Sequence, residues 1–330
     1  MKKICILYDY TLSRGIFNIF LLYFIRQYGL LVDEKHISTN LNLLLKYDIF
    51  VPTDVNSQYF IHKHKLTKNP MENYYIFKFL DDKYLNQKIR FNEDLFKIYR
   101  IPTIYNVNFK NISNFVKKHK SEKYIFKHRH SDSSKNQVIM NYTDTIINFK
   151  NFNKNFIMQK FIDNHYIYSF HAHVIDGKMI NYLYNYIDKL NGITFSDYFF
   201  QIKTVNLDKN DKYFYNIKSF VVSIVEQYNY SGLIEFEFLI NNNKIYFLEI
   251  NPRMCGHISQ LHWNKSPYFN EIVVSYLRNE GVQIPYERID VKNLYGTNVL
   301  SSYIFFILLF YKYIFLLLII VCAVIYFIYI

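Results

Sequence analysis

The side chains best placed for chemistry are four polar groups in two otherwise apolar runs: Glu235 and Glu237 in "IEFEFLI", and Glu249 and Asn251 in "IYFLEIN". Carboxylate and amide oxygens are hard donors. They suit a divalent cation of the magnesium type, which takes few protein ligands and keeps substrate phosphate oxygens in its shell. Arg253, two positions beyond Asn251, adds a planar fork of donors for a phosphate or a carboxylate. The chemistry such a set supports is phosphoryl transfer assisted by a metal ion.

For these groups to act together the chain has to bring them to one surface. The two runs are separated by Asn241, Asn242, Asn243 and Lys244, which reads as a β-hairpin centred on Asn243. That register sets Glu237 opposite Glu249 and Glu235 opposite Asn251. Because strand side chains alternate, all four project from one face, and Phe236, Phe238, Leu248 and Ile250 line the other. Directly opposed carboxylates lie about 5 Å apart and repel by roughly 3 kcal/mol at an effective dielectric near 20. A bound dication removes that repulsion. The hairpin alone leaves open a plainer alternative, an exposed polar face balanced by surface lysines.

Other elements read along the chain as follows. Strands are expected at 3–8, 48–52 and 74–80, with a helix over 13–28 ended by Gly29 and another over 86–99. Pro102 forces extended backbone around it. A strand ends at Lys127 in "YIFKHRHSD", a polar loop follows, and further strands are expected at 137–140 and 156–162. A hairpin turns at Asp176-Gly177, and helices are expected over 213–228 and over 267–279, the latter stopped by Gly281. His171 and His173 share a strand face and could ligate a metal, but no third ligand stands at a sensible spacing, which favours buried structural histidines. Cys255 and His257 read as pocket lining, with Gly256 giving a tight turn.

The stretch from Glu237 to Arg253 resembles the metal-binding segment of the ATP-grasp superfamily: a Glu, a second Glu about a dozen residues on, an Asn two further, and Pro-Arg, here in "LEINPR". The resemblance implies that Glu237, Glu249 and Asn251 hold Mg²⁺, or Mn²⁺, on the phosphates of ATP, with Arg253 and Lys127 as catalytic cations. It implies that Gln159, Lys160, Phe161 and Ile162 form the hinge that reads adenine, that Ser133 and Ser134 belong to the phosphate loop, and that Lys88 is the first ATP lysine, Lys83 being the alternative. The fold implied is α/β: a small N-terminal α/β domain over 1–82 and an ATP-grasp domain over 83–300 with a lid subdomain at about 105–160. The activity implied is ADP-forming ligation of a small-molecule carboxylate and an amine through an acyl phosphate. The sequence departs from the family pattern in a glycine-free loop, "HSDSSKNQ", in Gln159 where an acidic residue usually stands, and in the absence of an acidic residue from "HYIYSF". These departures keep open a nucleotide-binding protein without turnover.

The composition fits a folded chain: of 330 residues 51% are hydrophobic and 20% charged, which excludes a disordered protein. The net charge of +12 is scattered, with no basic run longer than "KKHK", so no nucleic-acid partner is expected; a basic membrane-associated interaction module is the third reading. Three cysteines far apart give neither a disulfide framework nor a zinc spacing. "MKKICILYDY" and the apolar run after it mimic a signal peptide, but Asp9 and Arg14 interrupt it. Residues 303–330 carry a single charge, Lys312, and the 18 uncharged residues that follow it, 313–330, would span about 27 Å as a helix. A C-terminal transmembrane tail anchor in a lipid bilayer is expected, with the catalytic domain facing the cytoplasm.

Overall fold

The computed structural model describes residues 2–8, 31–52, 57, 60, 61, 63, 64, 66, 99, 101–104, 107–128, 137–148, 156–163, 166–188, 203–207, 209–227, 229–251 and 267–282. At the N-terminus the run "ICIL" can only be a strand covered on both faces, and it is. Strand β1 (Lys3–Tyr8) is the middle of a parallel three-stranded sheet, between β2 (Leu31–His36) and β3 (Ile49–Pro52). Ile4, Cys5, Ile6 and Leu7 are all fully buried, as a central parallel strand requires. A short helix, α1 (Leu41–Leu44), is started by the Asn40 side chain, which accepts from the Asn42 amide. Strands β1 and β3 match the expectation. Strand β2 is unexpected, an edge strand in which four consecutive residues, Asp33 to His36, are titratable. The helix expected over 13–28, the strand over 74–80 and nearly all of the helix over 86–99 lie outside the described residues.

The second sheet has four antiparallel strands in the order β4 (Thr103–Ile104), β7 (Phe156–Lys160), β5 (Lys123–His128), β6 (Gln137–Asn141). Helix α2 (Phe109–Lys118) begins at Asn108, whose side chain accepts from the Asn111 amide, and it buries Ile112, Phe115 and Val116. Those three pack with Tyr124, Phe126 and Met158 of the sheet. Helix α3 (Tyr142–Asn148) follows β6. Neither helix is expected from the sequence. Strand β7 ends at Lys160, two residues before the expected 162; its last pair with β5 is Lys160 with Tyr124, and the Phe161 amide adds one more bond, to the Lys123 carbonyl.

The largest sheet has five antiparallel strands, in the order β10 (Lys203–Asn206), β9 (Lys178–Asp188), β8 (Tyr166–Ile175), β11 (Gly232–Asn241), β12 (Lys244–Asn251). One face is aromatic. Phe170, Tyr184, Phe236, Phe238 and Phe247 pack with Phe214, Ile217, Phe220, Val221 and Ile224 of helix α4 (Phe214–Gln227). Helix α5 (Pro267–Asn279) packs against β8 and β9 and ends before Gly281, which has φ +75°. The β8–β9 hairpin turns at Asp176 and Gly177, both with positive φ, and a Cβ on Gly177 would stand 3.1 Å from the Glu226 Cα, so glycine is needed there twice over.

All these elements fall within one unit, Met1–Ile284. Among the described residues no helix is long and apolar enough to cross a membrane; the expected anchor over 303–330 lies outside them, as do the domain boundaries expected at 82 and at 300.

Candidate nucleotide and metal site

Strands β11 and β12 pair Glu235 with Asn251, Phe236 with Ile250 and Glu237 with Glu249. This is the expected register, reached by a different route. The turn is made by two residues, Asn242 and Asn243, with φ 48° and 62°, and not by four. Asparagine is among the few residues that adopt this left-handed conformation cheaply. From that turn Asn241 pairs with Lys244, Leu239 with Tyr246 and Phe238 with Phe247, after which Leu248 is an extra residue on β12. That β-bulge restores the phase. Without it the same turn would set Glu237 against Leu248 and send Glu249 to the aromatic core.

The bulge also corrects the expected apolar face. Phe247, not Leu248, joins Phe236, Phe238 and Ile250 in the core under α4. Leu248 packs instead with Ile101, Ile162, Ile167, Leu239 and Tyr246. At the same place the outer edge of β12 is covered, since the Phe247 amide donates to the Tyr99 carbonyl at 2.7 Å.

Beyond the hairpin, the register of β8 and β9 extends this face into rows. One runs Glu249, Glu237, Ser169, Asn185; the next runs Asn251, Glu235, His171, Leu183. On the other side of the first, Leu239 and Ile167 pair in an apolar row. Asn251 ties two strands together: its Nδ2 donates to Glu235 Oε2 at 3.1 Å and to Glu249 Oε1 at 3.3 Å. Carboxylate oxygens accept, so the amide turns its NH₂ to these two acids and its Oδ1 is left for another partner. Glu235 is 0% exposed, and His171 Nδ1 stands 3.9 Å from its Oε1. Ser169 and Asn185 are also 0% exposed, and their side-chain polar atoms have no hydrogen-bond partner among the described residues.

Among the described residues no three His, Cys, Asp or Glu side chains converge to enclose an ion by themselves. Two opposed carboxylates with one amide oxygen form a partial shell, and that fits a magnesium ion completed by phosphate oxygens. His173 belongs to the packing: its Nδ1 is 2.7 Å from Ser275 Oγ on α5, its ring meets Tyr276 edge-on, and burial lowers its pKa to about 4.

The four-stranded sheet contributes Lys127, 8% exposed, paired in register with Ile157 and lying on the opposite face from Tyr124 and Phe126. Gln159 shares that face, but its side chain is engaged, because Nε2 donates to Thr103 Oγ1 at 2.9 Å while Thr103 donates to the Ile101 carbonyl. The Lys160 amide donates to the Pro102 carbonyl at 3.1 Å and the Phe161 amide to the Lys123 carbonyl at 3.2 Å, so both of these hinge donors are committed inside the sheet. Ile162 carries the hinge onto the apolar row through Ile101, Ile167 and Leu239. Lys83, Lys88, Ser133, Ser134, Arg253, Cys255 and His257 lie outside the described residues.

The apolar floor of Leu239, Leu248, Ile101 and Ile167 is missing from the sequence reading, as are Thr103, Ser169 and Asn185. Leu239, two residues from Glu237 on the same strand, could have been found by alternation alone. Ser169 and Asn185 could not, because the register between strands more than 50 residues apart leaves no local signal.

Comparison with known proteins agrees with this geometry. A family model for the ATP-grasp domain matches residues 85–257. N5-carboxyaminoimidazole synthetase from Staphylococcus aureus, complexed with ADP, is 17% identical, with a TM-score of 0.61 over 86% of this chain and 78% of that one. D-alanyl-alanine synthetase A from Vibrio cholerae is 13% identical, with a TM-score of 0.57 over 86% of this chain and 100% of that one. The biotin carboxylase domain of 2-oxoglutarate carboxylase from Hydrogenobacter thermophilus, in complex with MgADP and bicarbonate, is 13% identical, with a TM-score of 0.51 over 87% and 71%. No curated protein sequence matches the chain. The match of the family model over just over half of the sequence, carried by a hairpin that opposes Glu237 to Glu249, makes this chain a member of the ATP-grasp family.

Proposed function

We propose that the protein is an ATP- and magnesium-dependent ligase that joins a small-molecule carboxylate to an amine. The observation that carries this reading is the pairing of Glu237 with Glu249 beside an Asn251 amide whose NH₂ is held by carboxylates. Directly opposed like charges cost a hairpin stability, so folding alone does not select them. A dication on Glu237, Glu249 and Asn251 would neutralise the pair and draw charge from the phosphates of ATP.

Adenine would lie on the floor of Leu239, Leu248 and Ile162, read by carbonyl oxygens of the hinge and by the backbone of Ile162. The phosphates would then point along β11 toward Glu237, under Lys127 of the lid. In the first step the substrate carboxylate attacks the γ-phosphorus and ADP leaves, giving an acyl phosphate. In the second the amine nitrogen attacks the acyl carbon, the C–O bond to phosphate breaks, and the nitrogen gives up a proton. Lys127 and Arg253 stabilise charge on the transferring group, and catalysis is mainly positioning and charge neutralisation.

The lipid bilayer is the further partner, through residues 303–330, with the ligase domain on the cytoplasmic side; the support is 18 uncharged residues in a row after Lys312. A second reading, a membrane-anchored nucleotide-binding protein without turnover, is favoured by the commitment of Gln159 to Thr103 and by the glycine-free loop. The test is the thermal midpoint of the full chain in detergent with ATP, with Mg²⁺ and with both, for wild type and Glu249→Gln, followed by ADP release with mixed amino acids as acceptors. A ligand at a hundred times its Kd adds about 2.7 kcal/mol. Stabilisation that needs both ligands and is lost in the variant supports the site. Stabilisation without ADP release favours the second reading, and no stabilisation at all removes both.

A further inference from the structure

Resting on that metal-site reading, we propose that Glu235 is a positioning residue, which fixes the orientation of the Asn251 amide so that Oδ1 faces the cation. An amide side chain can present either end to the same point with almost no change of shape, so the neighbours must decide which end it is. Here they are Glu235 Oε2 at 3.1 Å and Glu249 Oε1 at 3.3 Å, both acceptors, both on the Nδ2 side. Glu249 is itself a candidate ligand. Once its oxygens turn to a cation, Glu235 is the acceptor left to hold Nδ2.

Glu235 is 0% exposed in the middle of the sheet, with His171 opposite on β8 and Phe236 and Ile234 beside it in the core. Burying an acid there costs more than burying an apolar side chain of similar size, so the carboxylate needs polar partners, and the Asn251 amide is one of them. A group kept at such a cost beside a ligand behaves as the partner that orients it, and removing such partners typically weakens metal binding 10- to 100-fold. His171, with Nδ1 3.9 Å from Glu235 Oε1, backs the carboxylate from the far side and completes a line of polar groups across three strands.

The experiment measures Mn²⁺ affinity in the presence of ATP, by the electron paramagnetic resonance signal of free Mn²⁺, together with the thermal midpoint of the ligand-free full chain. Glu235→Leu removes the acceptor and is expected to weaken Mn²⁺ 10- to 100-fold and also to lower the midpoint, since the Asn251 amide and His171 lose a buried partner. Glu235→Gln keeps an acceptor oxygen for Nδ2 and is expected to stay within a few-fold of wild type. If the leucine variant fails to fold, the exchange of roles decides. Asn251→Asp alone sets two buried carboxylates against each other and should lose Mn²⁺ binding. The double change Glu235→Gln with Asn251→Asp restores one donor and one acceptor, and should recover it. Wild-type affinity in Glu235→Leu, equal loss in the Leu and Gln variants, or no recovery in the double variant overturns the proposal. A wild-type chain that binds no Mn²⁺ with ATP removes the metal-site reading itself, before any variant is compared.

Discussion

Acid should loosen this protein through His173. The ring is 1% exposed, is held by Ser275 Oγ at 2.7 Å, and has a pKa lowered by burial from 6.5 to about 4. Between those two values the unfolded chain binds a proton that the folded chain refuses, so stability is full above pH 6.5 and falls as the pH drops toward 4. The 2.5-unit gap between 6.5 and about 4 corresponds to roughly 3 kcal/mol, of which about 2.5 kcal/mol is gone by pH 4.5. The assay is urea unfolding of the full chain in detergent at pH 7.5 and 4.5, for wild type and for His173→Asn. The asparagine variant starts less stable but cannot take up that proton, so its loss between the two pH values should be smaller by about 2 kcal/mol. Equal losses in the two proteins would show that His173 is open enough to charge in the folded state, and the buried contact with α5 would then be wrong.

Deletion of Leu248 removes the bulge residue together with part of the apolar floor, so it should leave Glu237 opposite Glu249 and weaken the stabilisation by ATP with Mg²⁺ without abolishing it; deletion of Ile250 turns Asn251 to the aromatic face and should abolish it in the same thermal assay. Gln159→Glu restores the residue type usual in the family but cannot donate to Thr103 Oγ1, so it should cost about 1–3 kcal/mol in urea unfolding and bring no gain in nucleotide affinity. Removing residues 303–330 should move the protein from the membrane pellet to the supernatant after carbonate extraction, whereas the full chain should stay in the pellet.

The site is legible in the sequence where the chemistry and its partners lie close in the chain. Glu237, Glu249 and Asn251 follow from alternation and spacing, and their pairing is as expected although the turn and the apolar face are not. A hairpin centred on Asn243 without a bulge and one centred between Asn242 and Asn243 with a bulge give the same pairing at Glu237, because the extra residue on β12 makes up the difference between the two centres. Only the displaced apolar residue, Leu248 for Phe247, shows the difference. The hairpin at Asp176 is legible from two residues that tolerate positive φ. Helix α2 could have been read from Ile112, Phe115 and Val116 with Asn108 as its cap, but its lysines and asparagines give the stretch a low mean hydropathy. Strand β2 is hidden because it buries little more than Val32. Ser169, His171 and Asn185 take their places beside the carboxylates through pairings set by the whole sheet, which no local pattern encodes.

The succession of rows on the central sheet makes β11 a gauge. From Leu239 to Glu235 the face passes from apolar floor to opposed carboxylates to the buried acid that holds Asn251, a rise of four steps, or about 14 Å at ~3.4 Å per residue. Each step of two residues changes the chemistry underfoot. On the proposed reading, a ligand lying along the strand would set a flat apolar end on Leu239 and, at the other end, phosphate oxygens that share a dication with the acidic pair. On the same reading, a nucleoside with too few phosphates would reach the floor but fall short of the cation held by the acidic pair, so the pitch of one strand would favour the longer phosphate chain.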